Sequence, residues 1–237
     1  MECSPKEEWN PFKQDIKKGN LRFFKYGDLP FNYGFVPQTW EDPNQSSRHS
    51  DVGDLKGDND PLDVVEISGT KIPRGQIVPI KVLSVLGLID EGEADWKIIG
   101  IRADHPQAAQ INSIKDADRV FQTDLQNVIV DWFQKYKVPD GKPENRFTHN
   151  AQFQGSEAAI DVIEDAHRQW YDLILGAVKT ENSLQSLTRK RLVEQGIVRN
   201  DRMPQRPAVN YPVYENWNSK SKSQTFGNKK YHGEEEK

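Results

Sequence analysis

The sequence holds a single cysteine, Cys3, among 237 residues. No internal disulfide can form, which excludes the small disulfide-stapled secreted scaffolds. Long apolar runs are missing too. The longest apolar-rich stretch, Ile77 to Ile89, is broken by Pro79 and Lys81 and is shorter than a bilayer span, so no membrane-crossing helix is expected. Met1 to Glu8 lack the apolar core of a signal peptide, which makes a reducing, cytoplasmic address the expectation. Positive charge is not in excess: 32 Lys and Arg against 36 Asp and Glu leave a net charge of −4. No long-range field therefore draws in nucleic acid or an anionic membrane, and any bound anion has to be held locally. Apolar residues make up only 35% of the chain, with a mean hydropathy of −0.82, so part of it should lie outside any packed core. Gly-x-Ser-x-Gly, Walker and Gly-x-Gly-x-x-Gly patterns are absent, and the five histidines show no ligand spacing.

What is present divides into two halves. Leu21–Phe24, Val64–Ile67, Ile77–Leu88 and Trp96–Ile101 are short β-branched or aromatic runs between Gly, Pro and Asp clusters, and read as strands of a small barrel or sandwich. From Ala117 the period changes: Phe121, Leu125, Val128, Ile129, Trp132, Phe133 and Tyr136 fall on one helix face that ends at Pro139-Asp140-Gly141. A second helix is signalled by Ser156 as N-cap, by Ile160, Ile163, Ala166, Trp170 and Leu173, and by Gly176 at its end. A third, weaker pattern runs from Ser183 to Gly196, between Ser and Gly in the expected order. This gives an α+β, mainly β fold: a barrel domain over 1–177 with two packed helices, an extra helix within 178–198, and a disordered polar tail over 199–237.

Charge is concentrated in three places. Gly57-Asp58-Asn59-Asp60-Pro61-Leu62-Asp63 crowds three carboxylates into one turn, where Pro61 imposes a bend that can bring them together. Like charges at ~5 Å repel by roughly 1 kcal/mol even in water, and a hard divalent cation removes that cost. An EF-hand is excluded, because counting from Asp58 its obligatory Gly falls on Asp63 and its Glu on Gly69. Leu88 to Ile99 reads as a hairpin with Asp90 and Asp95 at the strand ends, and Lys97 shares the Asp95 face while Trp96 and Ile98 face the core. Taken alone, this hairpin could equally carry an ordinary Lys–Asp surface pair. Phe133 to Asn145 ends a helix in cations, which by itself only complements the helix dipole. The aromatic run Asn32 to Pro43 and the lone Arg22 are open to a packing role as much as to a site.

Together these motifs are familiar. Tyr33–Pro43, Gly57–Asp63, Asp90–Lys97 and Tyr136–Asn145, in family order along the chain, resemble soluble family I inorganic pyrophosphatases of the animal and fungal type, from about Met1 to Ala177. The resemblance implies an OB-like five-stranded barrel with Mg²⁺ in its mouth, hydrolysing pyrophosphate to two phosphates. It implies Asp58, Asp63 and Asp95 as ligands of the tightest cation, Asp63 also bridging to a second, and Asp90 with Asp95 holding another. Asp60 is then the general base toward a water, while Lys97 contacts one phosphoryl group and Arg22, Tyr136 and Lys137 the other, with Tyr33 in the same pocket. Family members carry further strands upstream, so an incomplete barrel and a reduced homodimer contact are expected. Glu2 alone falls where an active-site glutamate belongs, and Leu29, with Tyr26 nearby, stands where family members place a tyrosine. Two alternatives remain beside the enzyme: a non-catalytic scaffold that binds Mg²⁺ or phosphate, and a hydrolase of another phosphoanhydride.

Overall fold

The computed structural model describes residues 2–180 and 184–196. It begins with two small antiparallel ladders, β1 (Glu2–Cys3) with β2 (Phe12–Lys13), and β3 (Ile16–Lys17) with β4 (Asn20–Leu21). The strand expected over Leu21–Phe24 is reduced to the end of that second ladder. A tight turn through Lys18 and Gly19, both at positive φ, pairs Leu21 back onto Ile16, and Phe23 and Phe24 then leave the ladder largely exposed, Phe24 edge-on to Trp132.

The main sheet consists of β5 (Asn32–Phe35), β6 (Asp63–Glu66), β7 (Ile80–Asp90), β8 (Glu93–Arg102), β9 (Arg146–Phe147) and β10 (Gln154–Gly155). Its order is β10-β7-β8-β6-β5, with β9 also on β7. β6 runs parallel to β8, and the other pairs are antiparallel. The apolar-rich stretch supplies β7, and Glu91-Gly92, both at positive φ (51° and 98°), turn it into β8. Alternation then assigns the two faces of β8. Ile99 and Ile101 join Leu83, Leu86 and Leu88 in one core, while Trp96 and Ile98 join Leu62 and Val85 in a second. Both faces are therefore buried, at roughly 1.5–3 kcal/mol for each large side chain.

The helices cover those two faces. α1 (Ile114–Phe121) and α2 (Leu125–Lys135) pack on the first core through Ile114, Ala117, Ile129, Trp132 and Phe133. α3 (Ser156–Leu175) covers the second through Ala159, Val162 and Ala166. The apolar stripe from Phe121 to Tyr136 is thus not one helix. Gln122 turns left-handed (φ 52°) and ends α1, and the Asp124 carboxylate accepts from the Asn127 N–H to start α2. Ser156 is the first residue of α3 and Gly155 occupies the cap, while Gly176 ends the helix in the left-handed region as its position suggested. Beyond it, a short 3-10 turn (Leu184–Leu187) and α4 (Arg189–Glu194) stand where one helix was read; Leu184 packs with Trp40 and Leu173. Ser183 and the tail read over 199–237 lie outside the described residues.

Candidate functional site

The acidic loop is held by the backbone of the segment before it. Glu41 N–H donates to Asp60 O (3.0 Å), Asn59 N–H to Glu41 O (2.9 Å) and Gly57 N–H to Asp42 O (3.2 Å). Only glycine fits at position 57, where a Cβ would collide with the Glu41 and Asp42 backbone. On the other side Ala94 N–H donates to Lys56 O (2.7 Å), tying the loop to the start of β8. Asp60 N–H donates to Asp58 Oδ1 (2.9 Å), so the loop turns over Asn59, at positive φ (73°), just before Pro61. Asp63, first residue of β6, lies beside Lys97 in the parallel register of β8.

Lys97 is the electrostatic centre. It is 2% exposed; its Nζ donates to Asp63 Oδ2 (2.6 Å) and to Asp95, and it lies over the rings of Tyr33 (5.5 Å) and Phe133 (5.4 Å). Burial opposes its charge, yet Asp63 and Asp95 overcome that and hold its pKa well above the ordinary lysine value. Tyr33 Oη also donates to Asp63. At the hairpin tip Asp90 accepts from Lys137 and from Tyr136 Oη (3.1 Å). Arg22 donates to Asp15 (2.9 Å) and lies 3.8 Å from Glu2, which is close enough to Asp60 to raise its pKa.

Among the described residues, Glu41, Asp58 and Asp95 each offer an oxygen within 4.8 Å of the others. This group shares two members with the expected Asp58, Asp63 and Asp95; Asp63 Oδ2 accepts from Lys97 and Tyr33. Asp90 stands apart with its own cation. Burial, and then Asp63, push Asp58 up to about 7; burial, and then Asp63 and Asp95, do the same for Asp60. Burial followed by Asp58 and Asp95 raises Glu41 well above the carboxylate range. Glu41 Oε2 and Asp60 Oδ1 are buried without a hydrogen-bond partner. Such hard oxygen donors in electrostatic conflict fit a small divalent cation. Spacing and periodicity do not point to Glu41, because loop-on-loop pairing brings it to Asp58; its one signal is an acid inside an aromatic run. Cys3 lies nearby: half-buried, its thiol is pushed up to about 12 by burial and then by Asp60, Asp63 and Glu2, which places β1 beside the acidic loop.

The family model described as inorganic pyrophosphatase matches residues 3–171. The human inorganic pyrophosphatase is 48% identical over 178 residues, 73% of this chain and 60% of that relative, so the chain spans less than two thirds of its length. The structure of inorganic pyrophosphatase from Schistosoma japonicum superimposes with a TM-score of 0.71 at 41% identity, covering 77% of this chain and 65% of that one. An N-terminally truncated vacuolar soluble pyrophosphatase of Trypanosoma cruzi, solved with PPi, gives 0.68 at 40% identity over 73% of this chain and 64% of that one. A family match across most of the sequence, joined to an acidic centre built on the same ordered motifs, means that this chain belongs to the inorganic pyrophosphatase family.

Proposed function

We propose that the chain hydrolyses inorganic pyrophosphate to two phosphates with the help of Mg²⁺. The observation that carries this reading is the placement of Glu41, Asp58 and Asp95, three oxygen donors, against a buried lysine. The pyrophosphatase relative from T. cruzi, whose structure contains PPi, supports the substrate. Bound Mg²⁺ would supply Lewis acidity and a water of lowered pKa. Asp58, Asp95, Asp63 and Asp90 would hold the cations, with Glu2 beside Asp60. Asp60, whose Oδ1 has no hydrogen-bond partner, takes the proton of the attacking water as its oxygen bonds to phosphorus and the bridging P–O bond breaks. Lys97, Lys137, Arg22, Tyr136 and Tyr33 are each hydrogen-bonded or ion-paired to a carboxylate, and each can exchange that carboxylate for a phosphoryl oxygen when the anion enters. No covalent nucleophile is required.

The mixed sheet with helices on its faces supports an OB-like barrel left open between β5 and β10, the two ends of the strand order. No helix among the described residues is long and apolar enough to cross a membrane. We further propose a cytoplasmic address, on the single cysteine, and a homodimer, on the family resemblance. The test is phosphate release from pyrophosphate. Mg²⁺ and Mn²⁺ should support it, and Ca²⁺, larger and less demanding of octahedral geometry, should not. Release that persists in excess EDTA overturns the reading, and cation binding without any release leaves the scaffold alternative.

A further inference from the structure

Asn59, on which the acidic loop turns, stands in the left-handed region between Asp58 and Asp60. Asparagine tolerates that conformation, and a second residue holds it there. The indole Nε1–H of Trp40 donates to Asn59 Oδ1 (3.0 Å). Trp40 is 3% exposed, and its surroundings are fixed by α3. Its backbone N–H donates to Ala166 O (3.0 Å), His167 Nδ1 donates to Gln38 O (2.7 Å), and the Asp42 N–H donates to Gln169 Oε1 (2.6 Å). The chain beyond α3 adds to this hold. The Trp40 ring packs with Leu173 and with Leu184, which is 1% exposed, and the Asn44 amide donates to Lys179 O (3.2 Å). Segment 38–44 thus joins the acidic loop to α3 and to the 178–187 segment. Leu173, Lys179 and Leu184 all lie beyond the residues 3–171 that match the pyrophosphatase family.

We infer that Trp40 and Leu184 are positioning residues: Leu184 and α3 seat the indole, the indole holds Asn59, and Asn59 sets the separation and aim of Asp58 and Asp60. The inference rests on the hydrolysis reading given under Proposed function and adds to it a support that reaches the loop from behind. Each residue acts through Asn59 rather than on the reacting atoms. The alternative is packing alone, in which the ring fills space and its N–H merely finds an acceptor. The two differ in what is coupled. In a support, the N–H of residue 40 and the amide of residue 59 act as one, whereas a space-filling ring is indifferent to Asn59. Lys97, Lys137 and Tyr136 stand outside the 57–63 loop, so a slip of that loop costs turnover and leaves substrate capture nearly intact.

The test uses the full chain. Trp40→Phe keeps an aromatic ring and removes the N–H; Asn59→Gly keeps access to the left-handed region and removes the acceptor. At saturating Mg²⁺ and pyrophosphate, with folding verified by circular dichroism, each should lower kcat by roughly 10–100-fold and change KM by less than about threefold. The double variant should lose no more than the worse single one. Leu184→Ala should lower kcat in the same way, and Leu184→Met, which nearly conserves volume, should recover most of it. Amide hydrogen exchange of the unliganded chain supplies a readout that does not depend on turnover. Exchange should rise in 57–63 in Trp40→Phe, Asn59→Gly and Leu184→Ala, and stay at the wild-type rate in the 80–102 hairpin. Multiplying losses in the double variant, or exchange raised alike in both segments, overturn the positioning role in favour of packing. Wild-type kcat with wild-type exchange in all three variants overturns it as well. A wild-type chain that releases no phosphate overturns the hydrolysis reading, and exchange in 57–63 then decides the support by itself.

Discussion

Asp60 and Lys97 are charged side chains that the same few ångströms of protein treat in opposite ways. Lys97 has two carboxylates for its one ammonium, whereas Asp60 has a buried oxygen with nothing to accept from. Asp60→Asn is nearly isosteric and cannot take a proton from water. Phosphate release should fall by roughly 10²–10⁴-fold while Mn²⁺ binding is retained. Parallel turnover and Mn²⁺ titrations check this, and full turnover at saturating metal would assign Asp60 to cation binding instead. At this scale the sequence was informative where neighbours in space are neighbours in sequence. Asp95 and Lys97 share a strand face by alternation, and Asp58 and Asp60 share a turn. Glu41 was illegible because two irregular segments place it, and periodicity carries no information about such pairing.

Among the elements, the 80–102 hairpin was plain from its apolar run and its acidic glycine turn, since both signals act locally. The break between α1 and α2 was not, because Phe121 and Leu125 keep helical spacing across a left-handed Gln122. The two-residue ladders near the N-terminus gave no periodic signal either. α3 contributes more than an apolar face. Its Asp165 pairs with Arg48 (3.2 Å) and His49 (3.4 Å) and so fastens the 46–50 loop that flanks Glu41. Burial works against the Asp165 charge, but His49, Arg48 and Arg168 overcome it and hold the carboxyl below its usual range. A depressed folded pKa means stability that is present above the unfolded value near ~4 and lost as pH falls through the folded one. Asp165→Asn should therefore cost about 1 kcal/mol at pH 7, a figure discounted because Arg48 and Arg168 are about half exposed. The gap from wild type should close toward pH ~2–3, which urea unfolding at the two pH values would measure.

For the whole molecule, the acidic centre is a reservoir of repulsion inside an otherwise apolar body. A cation that binds only the folded state relieves it and stabilises the fold by mass action, by ~2.7 kcal/mol at a hundredfold excess over Kd. For a domain of this size that corresponds to roughly 5–10 °C. Calorimetry with and without Mg²⁺ should show that rise and EDTA should reverse it; an unchanged midpoint would mean that the folded chain holds no such site.

The β7–β8 hairpin has a further consequence for the order in which the molecule assembles. Its ladder closes over a two-residue turn, so it can form early and at little loop-closure cost, carrying Asp90, Asp95 and Lys97 into place. The parallel pairing of Asp63 with Lys97 joins strands from distant parts of the chain and has to wait for the intervening loop to be ordered. The lysine is then gathered before its second carboxylate arrives. Weakening Leu88 or Ile98 should slow folding, whereas weakening Val65 on β6 should chiefly hasten unfolding. On this account the Asp63–Lys97 pairing at the reactive centre forms after the hairpin and is lost before it.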